Sequence, residues 1–102
     1  MEEYMNIKFD RNDKELTVRL EGILDTSSAP VLEDMLGTAL DGVELLIFDL
    51  EKLECVTSAG LRVIFTASQI MADKGDMILR NLSFAVRKVF DVTGFSDELK
   101  IE

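Results

Sequence analysis

The chain has 102 residues, 47% hydrophobic and 30% charged, with six glycines and one proline. That composition suits a single globular domain over residues 1–102 and excludes disordered and collagen-like chains. Twenty acidic against eleven basic side chains give a net charge of −9, which repels phosphate backbones and anionic lipid surfaces and argues against nucleic-acid binding. Histidine and tryptophan are absent, which removes Ser-His and Cys-His nucleophile pairs and histidine metal ligands. The acid is concentrated: residues 1–51 carry 13 acidic and 4 basic side chains, residues 52–102 seven of each. A partner of the first half is therefore expected to be basic. The lone Cys55 has no intramolecular disulfide partner, the start MEEYMNIKFD lacks a signal core, and no apolar run approaches the ~20 residues of a membrane helix. A cytoplasmic protein without membrane insertion is the expectation.

In chain order, Met5–Asp10 and Leu16–Glu21 alternate apolar and polar residues and read as two strands, joined by the turn residues Arg11-Asn12-Asp13-Lys14 into an antiparallel hairpin. Gly22 ends the second strand. Asp25-Thr26-Ser27-Ser28-Ala29-Pro30 then gathers side-chain oxygens and a proline at a helix start, with Ser27 or Ser28 as cap. Two apolar rows follow, Val31/Met35/Ala39 and Leu32/Leu36/Leu40, and Gly42 closes the helix. Leu45-Leu46-Ile47-Phe48 is continuously apolar, as in a central strand covered on both faces, and Asp49 ends it. A loop from Glu51 to Thr57 leads to a second helix over about Ser58 to Asp73, with Leu61, Ile64, Phe65, Ser68 and Met71 on one stripe and Gly75 as its stop. Met77-Ile78-Leu79 forms a strand, Ser83 caps a third helix bearing Val86, Val89 and Phe90, and Thr93-Gly94 ends it. Leu99–Ile101 adds a last strand or a frayed tail. The order β-β-α-β-α-β-α is that of an α/β domain whose sheet is mostly parallel with an antiparallel first strand.

Function in such sheets lies beyond the carboxyl ends of the parallel strands. Three segments arrive there: Gly22 to Ser27, Glu51 to Thr57, and Asn81-Leu82-Ser83. The second places Thr57-Ser58-Ala59-Gly60-Leu61 at a helix start, where free N–H groups and the dipole receive an anion well. The plain reading is that Thr57 caps the helix. Gly60, in the first turn, is unfavourable for a helix and implies a close approach by a neighbouring strand or a partner. Neither a Walker phosphate loop nor a G-x-S-x-G elbow is present. Asp25 and Asp49 read as a loop cap and a strand-end residue rather than an acid–base pair, and Cys55 as a buried, inert thiol.

The strand Leu45–Leu50, the run Asp49-Leu50-x-x-Leu53-x-x-Val56-Thr57-Ser58-Ala59-Gly60-Leu61 and the upstream Gly22-Ile23-Leu24-Asp25 together resemble a STAS domain of the bacterial anti-sigma factor antagonist type. The resemblance covers the whole chain. It implies a STAS-like fold and a non-enzymatic switch without a cofactor. Such a protein binds an anti-sigma factor serine kinase, is turned off by phosphorylation at Ser58, and is restored by a phosphatase. It further implies a partner surface made of Gly22, Asp25, Thr26, Thr57, Ser58, Ala59, Gly60 and Leu61, with Asp25 beside the phosphorylated serine. The best-known members carry Asp before the acceptor and Ser after it, where this chain has Thr57 and Ala59, so Thr57 is an alternative acceptor whose hydroxyl sits in the same loop. Two other readings use the same residues: a STAS subunit of a lipid-transport or signalling complex without a switch, and a small enzyme using Asp25 and Ser58. The latter lacks a phosphate cradle and a second acid.

Overall fold

A computed structural model describes residues 5–97 and 99–102; most of the stretch MEEYMNIKFD read above lies within them, its first four residues outside. The hairpin is longer than the alternation suggests, with strands β1 (Met5–Asn12) and β2 (Glu15–Leu24) paired from Met5↔Gly22 to Asn12↔Glu15. Its turn shrinks to Asp13-Lys14, Asp13 taking the left-handed conformation at φ +58° that aspartate tolerates. Helix α1 (Ala29–Ala39) leads to β3 (Leu45–Asp49), helix α2 (Ser58–Ala72) to β5 (Asp76–Arg80), and helix α3 (Phe84–Thr93), after a 3₁₀ turn at Phe95–Asp97, to β6 (Lys100–Ile101). Between β3 and α2 stands a strand that the sequence reading missed, β4 (Leu53–Val56), in place of the expected loop.

The sheet runs β1-β2-β3-β5-β6, with only β1 antiparallel, and β4 also pairs with β2. β2 is long enough to take two partners in succession: Glu15–Arg19 pair with β3, and Gly22–Leu24 pair with β4. The ladder shifts between Gly22 and Ile23, and Gly22, at φ +107°, adopts the conformation that such an irregularity needs.

The helices lie on one face. Leu16 pairs with Leu46 and Leu46 with Met77, while Val18 pairs with Phe48 and Phe48 with Leu79. These rows join Leu32, Leu36, Ile64, Met71, Val86 and Phe90 in one buried core. Ile47 points to the other face, between Thr17 and Ile78, and is only 3% exposed although it is no part of that core. The unbroken apolar run of β3 thus reflects a central strand shielded by its lateral neighbours, without a second helical layer. One stripe of α1 is correspondingly superfluous to the core: Leu32, Leu36 and Leu40 are buried, but Val31 is 52% and Met35 38% exposed.

Candidate functional site

The carboxyl ends of β2 and β4 lie side by side and hold the starts of α1 and α2 together. The Thr57 backbone makes the link, its N–H donating to the Leu24 carbonyl (3.0 Å) while its carbonyl accepts the first helical bond of α2 from Leu61 (2.9 Å). Gly60 explains how close the approach is. A Cβ there would stand 2.6 Å from Leu24 Cγ and 2.9 Å from Val56 Cγ2, so the neighbour implied by the glycine is the pair of buried strand ends. Gly60 and Leu61 are both buried; their contribution to the site is to seat α2 against the sheet.

Capping differs from expectation at both helix starts. Thr57 is the N-cap of α2 by position, but its side chain caps nothing: Oγ1 is buried and has no hydrogen-bond partner. The first-turn N–H groups of α2 are left without a side-chain acceptor, and no acidic residue stands in that turn. Ser58, one residue on, is exposed, and among the described residues its hydroxyl makes no hydrogen bond. At α1, Ser28 holds the N-cap position without a capping bond. Its hydroxyl donates to the Ile23 carbonyl (2.8 Å) and accepts from the Asp25 N–H (2.9 Å), tying the loop to β2.

The loop's acceptor is Asp25. One oxygen, Oδ1, receives the Ser27 hydroxyl (2.8 Å), the Ser27 N–H (3.0 Å), the Ser28 N–H (3.1 Å) and the Ser28 hydroxyl. These bonds, the Ser27 hydroxyl first and then the backbone N–H groups of Ser28 and Ser27, hold the carboxyl below its ordinary 3.8 against a smaller opposing effect of burial. No hydrogen bond joins Asp25 to Ser58, so the structure gives Asp25 a loop-forming role and leaves Oδ2 unengaged among the described residues.

Thr26, the next residue, shares a depression with Ser58. Thr26, Pro30 and Glu33 on one side and Ser58, Ala59 and Arg62 on the other line an open depression of 250 Å³. The sequence reading had Pro30 only as a helix-start signal and named neither Glu33 nor Arg62 as a site residue. The signal for Arg62 was its spacing, one helical turn after Ser58. A depression of 240 Å³ on the open sheet face is lined by Lys8, Arg19, Glu21, Asp49, Glu51 and Lys52, and four of these charges pair with one another, Lys8 with Glu21 at 3.6 Å and Arg19 with Asp49 at 3.7 Å. Asp49 also accepts from Asn81 (3.1 Å) and the Glu51 N–H (3.2 Å), the role of a strand-end residue. Cys55 is exposed, against expectation. On the short β4 only the terminal Leu53 and Val56 turn inward.

A sheet of this topology, with a hydroxyl-bearing helix start beside the Gly-x-x-Asp loop, is a STAS arrangement, and residues 4–102 match the STAS domain family. The chain is 35% identical over 101 residues to the anti-sigma-B factor antagonist of Bacillus subtilis, covering 95% of this chain and 92% of that protein. It is 34% identical over 93 residues to BtrV of Bordetella bronchiseptica, covering 89% and 80%. Its fold superposes on unphosphorylated SpoIIAA with a TM-score of 0.83 at 25% identity, over 95% of this chain and 88% of that one. On phosphorylated Bacillus SpoIIAA the TM-score is 0.75 at 24% identity, over 95% and 91%. The chain therefore belongs to the STAS family of anti-sigma factor antagonists, which are regulatory proteins and not enzymes. Among the described residues no helix is long and apolar enough to cross a membrane.

Proposed function

We propose that this protein is a phosphorylation-controlled interaction module of the cytoplasm. Unmodified, it binds an anti-sigma factor that is itself a serine kinase, and so frees a sigma factor; phosphorylation of Ser58 ends the binding, and a phosphatase restores it. The observation that carries this reading is the contrast between adjacent hydroxyls. Ser58 is exposed and unbonded at the rim of the depression, whereas Thr57 Oγ1 is buried. A kinase reaching this helix start meets Ser58. In the transfer, Ser58 Oγ forms a bond to the γ-phosphorus of ATP as the bond from that phosphorus to the ADP oxygen breaks, and the hydroxyl proton leaves to a base on the kinase.

The product suits a switch. A phosphoserine carries about −1.5 to −2 charges at pH 7, which the uncapped start of α2 tolerates without refolding. The same charge and bulk fill the depression beside Glu33 in the acidic half of the chain. Like charges brought together at an interface cost several kcal/mol, and about 1.4 kcal/mol is tenfold in affinity. Phosphopeptide mapping after incubation with the kinase and ATP tests the assignment: modification on Ser58 is expected, lost in Ser58→Ala and kept in Thr57→Val. Modification on Thr57 alone, or on neither, rejects it and favours a STAS subunit without a switch.

A further inference from the structure

Arg62 is exposed on α2, lines the depression with Ser58, and among the described residues has no ion-pair or hydrogen-bond partner. It follows Ser58 by four residues, so the two side chains lie on one face of the helix with Cβ atoms about 5–6 Å apart. Helical side chains lean towards the amino terminus, which carries the guanidinium back towards position 58. A second observation sits at the same place: the side chain of Thr57 leaves the first-turn N–H groups of α2 without a cap.

Resting on the reading of Ser58 as the acceptor, we propose that Arg62 is the internal receptor of the Ser58 phosphate. Its planar donor fork pairs with two phosphate oxygens while the uncapped N–H groups face the third. The phosphate is then held along the α2 wall of the depression instead of swinging free into solvent. The modified protein thus presents a fixed, partly neutralised block where a partner would dock.

The charged groups facing that phosphate are Arg62 from α2 and Glu33 from α1, while Asp25 in the loop before α1 is turned towards Ser27 and Ser28. Glu33 raises the second ionisation of the phosphate and Arg62 lowers it. Arg62, one helical turn from Ser58 and bidentate, is expected to dominate.

The test inserts phosphoserine at position 58 during translation, so that no kinase is involved, and follows the phosphate by ³¹P NMR titration in the parent and in Arg62→Gln. Gln is a good helix former at an exposed position, so both proteins are expected to melt alike. The parent phosphate is expected to lose its second proton about half a pH unit lower than in Arg62→Gln at low salt, with the gap narrowing as salt is raised. Coincident titration curves for the two proteins, both folded, would overturn the proposal while leaving Ser58 as the acceptor. A failure of kinase mapping at Ser58 would instead remove the functional reading without touching the titration.

Discussion

Asp25 organises the loop before α1 through one oxygen, and its chemistry separates a folding role from a binding role. The four hydrogen bonds on Oδ1, from the Ser27 and Ser28 hydroxyls and N–H groups, favour the carboxylate in the folded state, whose pKa lies below the ordinary 3.8. A depressed folded-state value means that the native chain gives up this proton more readily than the unfolded one. The resulting stabilisation is present above the ordinary aspartate value and is lost as the pH falls through the folded-state value. The melting temperature of the parent is therefore expected to exceed that of Asp25→Asn near neutral pH, with the gap closing below about pH 4. Asn keeps an acceptor for the Ser27 and Ser28 N–H groups, so Asp25→Ala is expected to melt lower than Asp25→Asn. Partner affinity is the second readout, because Oδ2 is available to a basic group: Asp25→Asn weakens binding if that oxygen serves recognition. Unchanged affinity, with only the melting temperature altered, assigns Asp25 to the loop alone.

At the scale of elements, α2 and α3 make a natural comparison. Ser83 caps α3 through a bond from the Val86 N–H at 3.2 Å, whereas the hydroxyl of Thr57 caps nothing. Ser83→Ala is expected to cost about 1 kcal/mol. Thr57→Val, which removes an unpaired buried hydroxyl without changing shape, is expected to be neutral or stabilising within about 0.5 kcal/mol. Urea melts of both variants decide this, and a loss at Thr57 equal to that at Ser83 contradicts the structure's orientation of the threonine. The ends of α3 were legible in the sequence because Ser83 and the left-handed Gly94, at φ +82°, act locally. The hairpin was legible from its alternation and β3 from its continuous apolar run. β4 was not, since Leu53-Glu54-Cys55-Val56 is buried only at its ends and pairs with β2 across the irregularity at Gly22. That pairing is non-local and leaves no alternation to read. The same gap made Cys55 look buried. Of the site, Ser58 and the Gly22–Asp25 loop were legible as motifs; Glu33 and Arg62 belong to the depression only because two helix starts converge on it, a tertiary fact.

The whole molecule is an acidic body with one helical layer and a depression where two helices begin. Its charge of −9 sets up a negative field around the molecule, which added salt screens. Because the core beneath α1 and α2 is continuous and apolar, a new charge at the exposed Ser58 changes the surface without disturbing the packing. The switch proposed above is, on this ground, a change of surface potential and shape on an unchanged fold. The most direct test is titration calorimetry of the anti-sigma factor kinase against Ser58→Ala and Ser58→Asp at two ionic strengths, with melting curves on both variants. The account predicts similar melting temperatures, near-parental affinity for Ser58→Ala, and weaker binding by Ser58→Asp that is most pronounced at low salt. The loss is partial, because aspartate carries less charge than phosphate. Equal affinities for the two folded variants would contradict it.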